Sequence, residues 1–187
     1  MSTRDIVLVA LFTAIMVVLG LLPPITLGFI PVPITAQSLG VMLAGCILGA
    51  KRGAAVCLLF LLLVAIGLPV LAGGRGGLAI FAGPTAGYII GYVPGAFLTG
   101  FLAERLVRES QPELRQLIGF LVAAVAGGIG VVYLFGVPWL AYSSGKAFFE
   151  VALAGLVFVP GDLIKAFVAM LAGRAVLAGY PLLSVRA

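Results

Sequence analysis

Six apolar runs, at about residues 5–22, 34–50, 53–70, 84–106, 115–136 and 158–178, leave this chain few ways to fold. Each approaches or exceeds the length needed to cross roughly 30 Å of bilayer hydrocarbon. With no water in that layer, every backbone N–H and C=O must find a partner inside the protein, and helices do so without leaving an open edge. A soluble alternative fails on composition. With 63% hydrophobic residues, 9% charged residues and a mean hydropathy of +1.30, 187 residues offer too little polar surface to face water. The expected fold is an all-α integral membrane protein with six transmembrane helices. Residues 1–187 are expected to form a single membrane-embedded domain, because the longest charged stretch, Glu104 to Arg115, is only a loop.

Basic residues orient the helices, since Lys and Arg of short loops concentrate on the cytoplasmic side. Arg4, Lys51, Arg52, Arg105, Arg108, Arg115, Arg174 and Arg186 fall on one side of this arrangement, against Arg75 and Lys146 on the other. Both termini are therefore expected in the cytoplasm, and an even number of spans agrees. A cleaved signal peptide does not suit residues 1–22, because the run from Ile6 to Leu22 exceeds the usual apolar core of such a peptide and leads into Pro23-Pro24.

Several functions drop out on residue types. The chain has no His and no Asn, which removes His-based metal sites, a Ser-His-Asp triad and a His proton relay. Asp162 is the only acid within a span core, so a two-carboxylate intramembrane protease is excluded. Cys46 and Cys57 form no CxxC pair and behave as small apolar residues. A net charge of +5 invites a nucleic-acid reading, but the basic residues are scattered at helix ends with no interleaved aromatic platform. No GxxxxGK[ST] phosphate loop occurs, so any ATP-driven step must come from another subunit. No metal and no cofactor is expected.

Against this apolar background Asp162 and Lys165 stand three positions apart inside the last span. Ionisable groups at membrane depth are costly and mark ligand or ion pathways by default. On one helix face the two also neutralise each other, so a purely packing role is the competing reading. Pro160-Gly161 just before them suits a helix start, which would put the pair near the outer end. Two connections complete the pattern. Residues 22–37 carry four prolines that forbid a continuous helix, and Thr35 and Gln37 at their end need polar partners. This segment is expected to dip into the bundle, either lining a cavity or packing as a rigid apolar hairpin. Gly73-Gly74-Arg75-Gly76-Gly77 combines a pliable backbone with a guanidinium suited to a carboxylate, although an ordinary surface Arg in an outer loop reads the same way. In span 4, Gly83, Gly87, Gly91 and Gly95 make a small-residue stripe read as structural, with Tyr88 beside it.

Taken in order, Pro31-Val32-Pro33-Ile34-Thr35-Ala36-Gln37, Gly73-Gly74-Arg75-Gly76-Gly77, Gly83-Pro84-Thr85-Ala86-Gly87-Tyr88 and Pro160-Gly161-Asp162-Leu163-Ile164-Lys165 resemble the BioY family, the biotin-binding S components of energy-coupling factor vitamin transporters. The resemblance covers nearly the whole chain. It implies a six-helix fold in a prokaryotic cytoplasmic membrane, biotin captured tightly from outside, and docking on a transmembrane coupling protein with two ATPase subunits. It also leaves room for a chain that works alone or as a homo-oligomer. Ala10-Leu11-Phe12-Thr13-Ala14 then looks like the family's AxxxA face, with Ala10 and Ala14 towards the coupling protein. Biotin's chemistry suits the polar groups: Asp162 accepts a ureido N–H, Lys165 donates to the ureido carbonyl, and Arg75 takes the carboxylate in competition with Lys165. Gln37, Thr35, Thr85 and Tyr88 complete the polar contacts, and Pro33 and Phe81 help enclose the rings. An S component for another vitamin and a non-transporting subunit of a membrane complex are the remaining readings. A membrane enzyme ranks below both, for want of a nucleophile and base.

Overall fold

The computed structural model describes residues 1–28, 31–180, 182 and 183. Phe29 and Ile30 of the first connection, and Arg186 of the basic set, lie outside them. Among the described residues six helices make up the bundle: α1 (Thr3–Leu21), α2 (Gln37–Leu48), α3 (Ala50–Ala65), α4 (Ala86–Leu106), α5 (Glu113–Ser144) and α6 (Phe148–Gly179). The only β pairing among the described residues is two isolated bridges.

The ends of α1 and α6 meet. Arg4 lies over the Tyr180 ring, 5.1 Å from its centroid, and Arg52 at the start of α3 joins Asp5 (3.5 Å) to the Leu182 carbonyl. The start of α1 and the end of α6 thus share the end of the bundle that holds Lys51 and Arg52. Helix α1 starts cleanly because Ser2 and Asp5 form a reciprocal capping box, Asp5 N donating to Ser2 Oγ and Ser2 N to Asp5 Oδ2.

The second and third helices are shorter than the apolar runs that announce them. At 1.5 Å per residue, the 12 residues of α2 and 16 of α3 fall well short of 30 Å. The balance is non-helical backbone at the end away from the termini. On either side of Phe29 and Ile30, residues 22–28 and 31–36 are non-helical and joined by two bonds between Ile25 and Ile34 (3.0 and 2.9 Å), in keeping with their four prolines. Residues 66–77 fold on glycine, with Gly67, Gly73, Gly74 and Gly77 all at positive φ. The last helix, conversely, starts earlier than Pro160. It begins at Phe148, tightens into a 3₁₀ turn at Leu156–Phe158, and runs straight on from Val159. Pro160 falls in the first turn after that 3₁₀ interruption, where a proline is best tolerated.

Helix α2 stands at the centre. Val41, Ala44 and Leu48 pack into an apolar cluster shared with α1, α3 and α4, while Met42 and Cys46 pack into a second one with α5 and α6. In lipid, association rests on close fit more than on solvent exclusion, which explains the glycines. A Cβ on Gly87 would strike Phe135 and Trp139, one on Gly95 would strike Gly127 and Val132, and one on Gly100 would strike the backbone of Gly49 and Ala50. Gly83 has ordinary clearance, so the stripe is a seam from Gly87 downward.

Candidate functional site

A cleft opens between the first hairpin, the start of α4, the middle of α5 and the straight part of α6. Its apolar wall includes Val32, Pro33, Ile34, Val132 and Phe158, and its polar groups are Thr35, Ser38, Tyr88, Tyr92, Tyr133, Asp162 and Lys165. The geometry follows from three helix interruptions. Proline breaks the chain ahead of α2 and turns Val32–Thr35 inward. A π-helical stretch at Val125–Val131, containing three glycines, widens α5 and faces the cleft at Gly128. The 3₁₀ turn of α6 brings Phe158 and Asp162 to the same chamber. Single π turns recur at functional sites because they re-aim side chains.

Asp162, 6% exposed, is the hub. Its Oδ1 accepts from Lys165 Nζ at 2.8 Å and from Ser38 Oγ at 3.2 Å, while Oδ2 accepts from the Tyr133 hydroxyl at 2.6 Å. Lys165 also donates to Ser38 Oγ at 2.9 Å, closing a three-membered ring of polar groups. Bonds to ionised partners are the strong ones, and mutual neutralisation lowers the cost of holding two charges at membrane depth. The ring is nevertheless not saturated. Three Lys165 hydrogens serve two acceptors, and Oδ2 has a lone pair beyond the one Tyr133 uses. One donor and one acceptor remain for a third molecule.

The expected residues separate into two groups. Asp162, Lys165, Thr35, Tyr88 and Pro33 come together in the cleft. The Tyr88 ring is held edge-on to Tyr133, centroids 6.0 Å apart, and presses on Gly136. Its buried hydroxyl has no hydrogen-bond partner among the described residues. Gln37, Thr85 and Phe81 are not in the lining, contrary to their expected place there. Gln37 is 1% exposed and fully committed: Nε2 donates to the Val70 carbonyl (3.0 Å) and Oε1 accepts from Ala72 N (3.1 Å). The amide found its partner in the glycine hairpin instead of a ligand. Thr85 is buried at the start of α4, and Phe81 packs on the apolar core. Arg75 is outside the lining as well. It sits on the hairpin that Gln37 anchors, its Nε donating to the Ala72 carbonyl (3.1 Å), with its charge in range of the Tyr92 hydroxyl.

Ser38, Tyr92 and Tyr133 are cleft residues that sequence reasoning passed over. Ser38 follows Gln37 by one position and carried its own signal, a hydroxyl at the start of an apolar helix. Tyr133 carried none, because the π turn just before it breaks the helical phase that would have related it to a pocket.

Fold and cleft together define a multi-pass helical membrane protein with a cleft lined by apolar side chains around a few polar groups. Comparison with known proteins narrows this class. The model of the BioY family matches residues 1–181, and the chain belongs to that family. The biotin transporter BioY of Rhizobium etli is 64% identical over 187 residues, covering all of both chains. The biotin transporter BioY of Rhodobacter capsulatus is 48% identical, with 92% of this chain and 93% of that one covered. Among solved structures, an S component for biotin from an ECF-type ABC transporter superposes with a TM-score of 0.88 at 37% identity, covering 97% of each chain. The relatives are transporters and not enzymes.

Proposed function

We propose that this chain is the biotin-binding S component of an energy-coupling factor transporter, acting as one domain in a prokaryotic cytoplasmic membrane. It captures biotin tightly from the outside and carries it inward, with ATP hydrolysed by partner subunits. The observation that supports this most is the under-saturated Asp162–Lys165–Ser38 ring beside an unpartnered Tyr88 hydroxyl. A ureido group offers N–H donors and a carbonyl acceptor on one edge, the complement of a free carboxylate lone pair beside a free ammonium hydrogen. Asp162 accepts a ureido N–H, Lys165 donates to the ureido oxygen, and Tyr88 and Thr35 supply further polar contacts. Val32, Pro33, Val132 and Phe158 enclose the thioether ring and chain, giving a mostly apolar pocket with few polar anchors.

Arg75 takes the carboxylate. Only its Nε has a partner among the described residues, so the terminal nitrogens are available for a bidentate contact. Gln37 serves this indirectly, by pinning the hairpin that carries Arg75. The opposite task, docking on the coupling protein, falls to α1, where Ala10 and Ala14 are exposed and form a shallow stripe beside Val7, Leu11 and Val18. Small residues there let a partner helix approach closely.

Calorimetric titration of biotin into the detergent-purified protein, beside Asp162→Asn, tests the reading. Tight binding by the native chain is expected, falling roughly hundred-fold or more in the variant, since truncating one side of a buried charge pair costs about 3–5 kcal/mol. A folded native sample that gives no heat with biotin would end the proposal.

A further inference from the structure

The loop between α4 and α5 is tied down more firmly than its exposure suggests. Buried Gln116 donates through Nε2 to three carbonyls, of Arg108 (3.0 Å), Glu109 (3.1 Å) and Gln111 (3.1 Å). Arg108 N donates in turn to Gln111 Oε1 at 3.1 Å. This fixed loop holds Arg108 beside a groove whose rim also includes Arg105 and Arg115 and whose floor includes Ile118 and Val122. None of the three arginines forms a salt bridge among the described residues. Arg105 covers the Phe101 ring at 4.3 Å, which leaves its guanidinium edge open. Nearby acids are engaged elsewhere: Glu113 pairs with Arg174 at 3.7 Å, Glu104 accepts from Ala50 N, and Glu109 faces a separate groove. Below the cationic rim, Ile118 and Val122 are about half exposed.

Three uncompensated cations call for an anion, and the exposed stripe beneath them calls for hydrocarbon. A single molecule satisfies both. We propose that this groove binds one anionic phospholipid, with Arg105, Arg108 and Arg115 around the headgroup phosphate and an acyl chain along Ile118 and Val122. Basic pockets between helices at the membrane surface take such headgroups, whereas free phosphate has the same headgroup chemistry but leaves the apolar floor uncovered.

Native mass spectrometry of the delipidated full chain, with phosphatidylglycerol or phosphatidylcholine added, tests the site. One phosphatidylglycerol should be retained at least about ten-fold more tightly than phosphatidylcholine and survive millimolar inorganic phosphate. Arg105→Gln/Arg108→Gln/Arg115→Gln should weaken it roughly hundred-fold, each arginine contributing about five-fold, and the corresponding triple Lys variant should restore most of it. Should the triple Gln variant misfold, the single Arg→Gln variants decide, and no loss in any of them overturns the site. Equal retention of both lipids, or a variant that holds phosphatidylglycerol as the native chain does, also overturns it. Full displacement by inorganic phosphate would make this a small-anion site, and binding only to an acidic partner protein would make it a docking surface. The readout is lipid mass, so it stands or falls independently of biotin.

Discussion

The cleft and the glycine seam lie side by side along α4 and are built on opposite rules. Along the seam, Gly95, Gly100 and Gly127 bring backbones so close that no side chain fits between them. The packing leaves no room for a ligand even at Thr99, whose buried hydroxyl lies against Gly127 with no hydrogen-bond partner among the described residues. At the cleft, helices are interrupted by proline, by a π turn and by a 3₁₀ turn, and polar atoms outnumber their protein partners. The seam supplies cohesion that lets the cleft remain incomplete. Natural chains break local rules at functional sites and compensate elsewhere, and here the compensation is within one helix length.

The strongest way to break that contrast is to place a methyl group in each region. Gly100→Ala meets main-chain atoms of Gly49 and Ala50 that no rotamer change can move. We expect a loss of about 3 kcal/mol or more, read as a lower Tm or a failure to extract monodisperse protein. Gly161→Ala, about one helical turn before Lys165, adds a Cβ that meets nothing within 4 Å. It should be neutral or stabilising by up to about 1 kcal/mol. Equal damage from both would mean that the seam is no tighter than the rest.

Within the cleft, Ser38→Ala separates the network from the charge pair. Ser38 both donates to Asp162 and accepts from Lys165, so its removal frees a second ammonium hydrogen and loosens the aim of both side chains. A bond to a charged group contributes about 1.5–3 kcal/mol, which predicts biotin affinity reduced roughly ten-fold or more with the pair still present. Affinity unchanged by this substitution would assign Ser38 to packing alone.

How much of this was legible follows the same division. Asp162 and Lys165 announced themselves because charge in an apolar run has one usual explanation. The prolines ahead of α2 and the glycines after α3 mark where helix must stop, and the proline segment is expected to dip into the bundle. The sequence does not show that both segments take up the ends of the second and third apolar runs. Gln37 shows the limit. A buried amide demands partners, but whether they belong to a ligand or to Val70 and Ala72, more than 30 residues away, is decided by tertiary contacts. Tyr133 lies 29 residues before Asp162, across a helix whose period changes at Val125–Val131, so no spacing rule connects them.

The smallest effect gives the sharpest comparison. Tyr88→Phe keeps the ring that packs edge-on against Tyr133 and fills the space above Gly136, and it removes only a hydroxyl that has no protein partner. An unsatisfied buried polar group costs about 1–3 kcal/mol, so a merely structural Tyr88 should become more stable as Phe and leave binding untouched. If the hydroxyl waits for a ligand, stability still rises slightly in the ligand-free protein, while biotin affinity falls by roughly five- to ten-fold. Opposite signs in the two measurements are the mark of an atom kept for function. At seam glycines such as Gly100, a substitution should not separate them, because whatever weakens the fold there weakens binding with it.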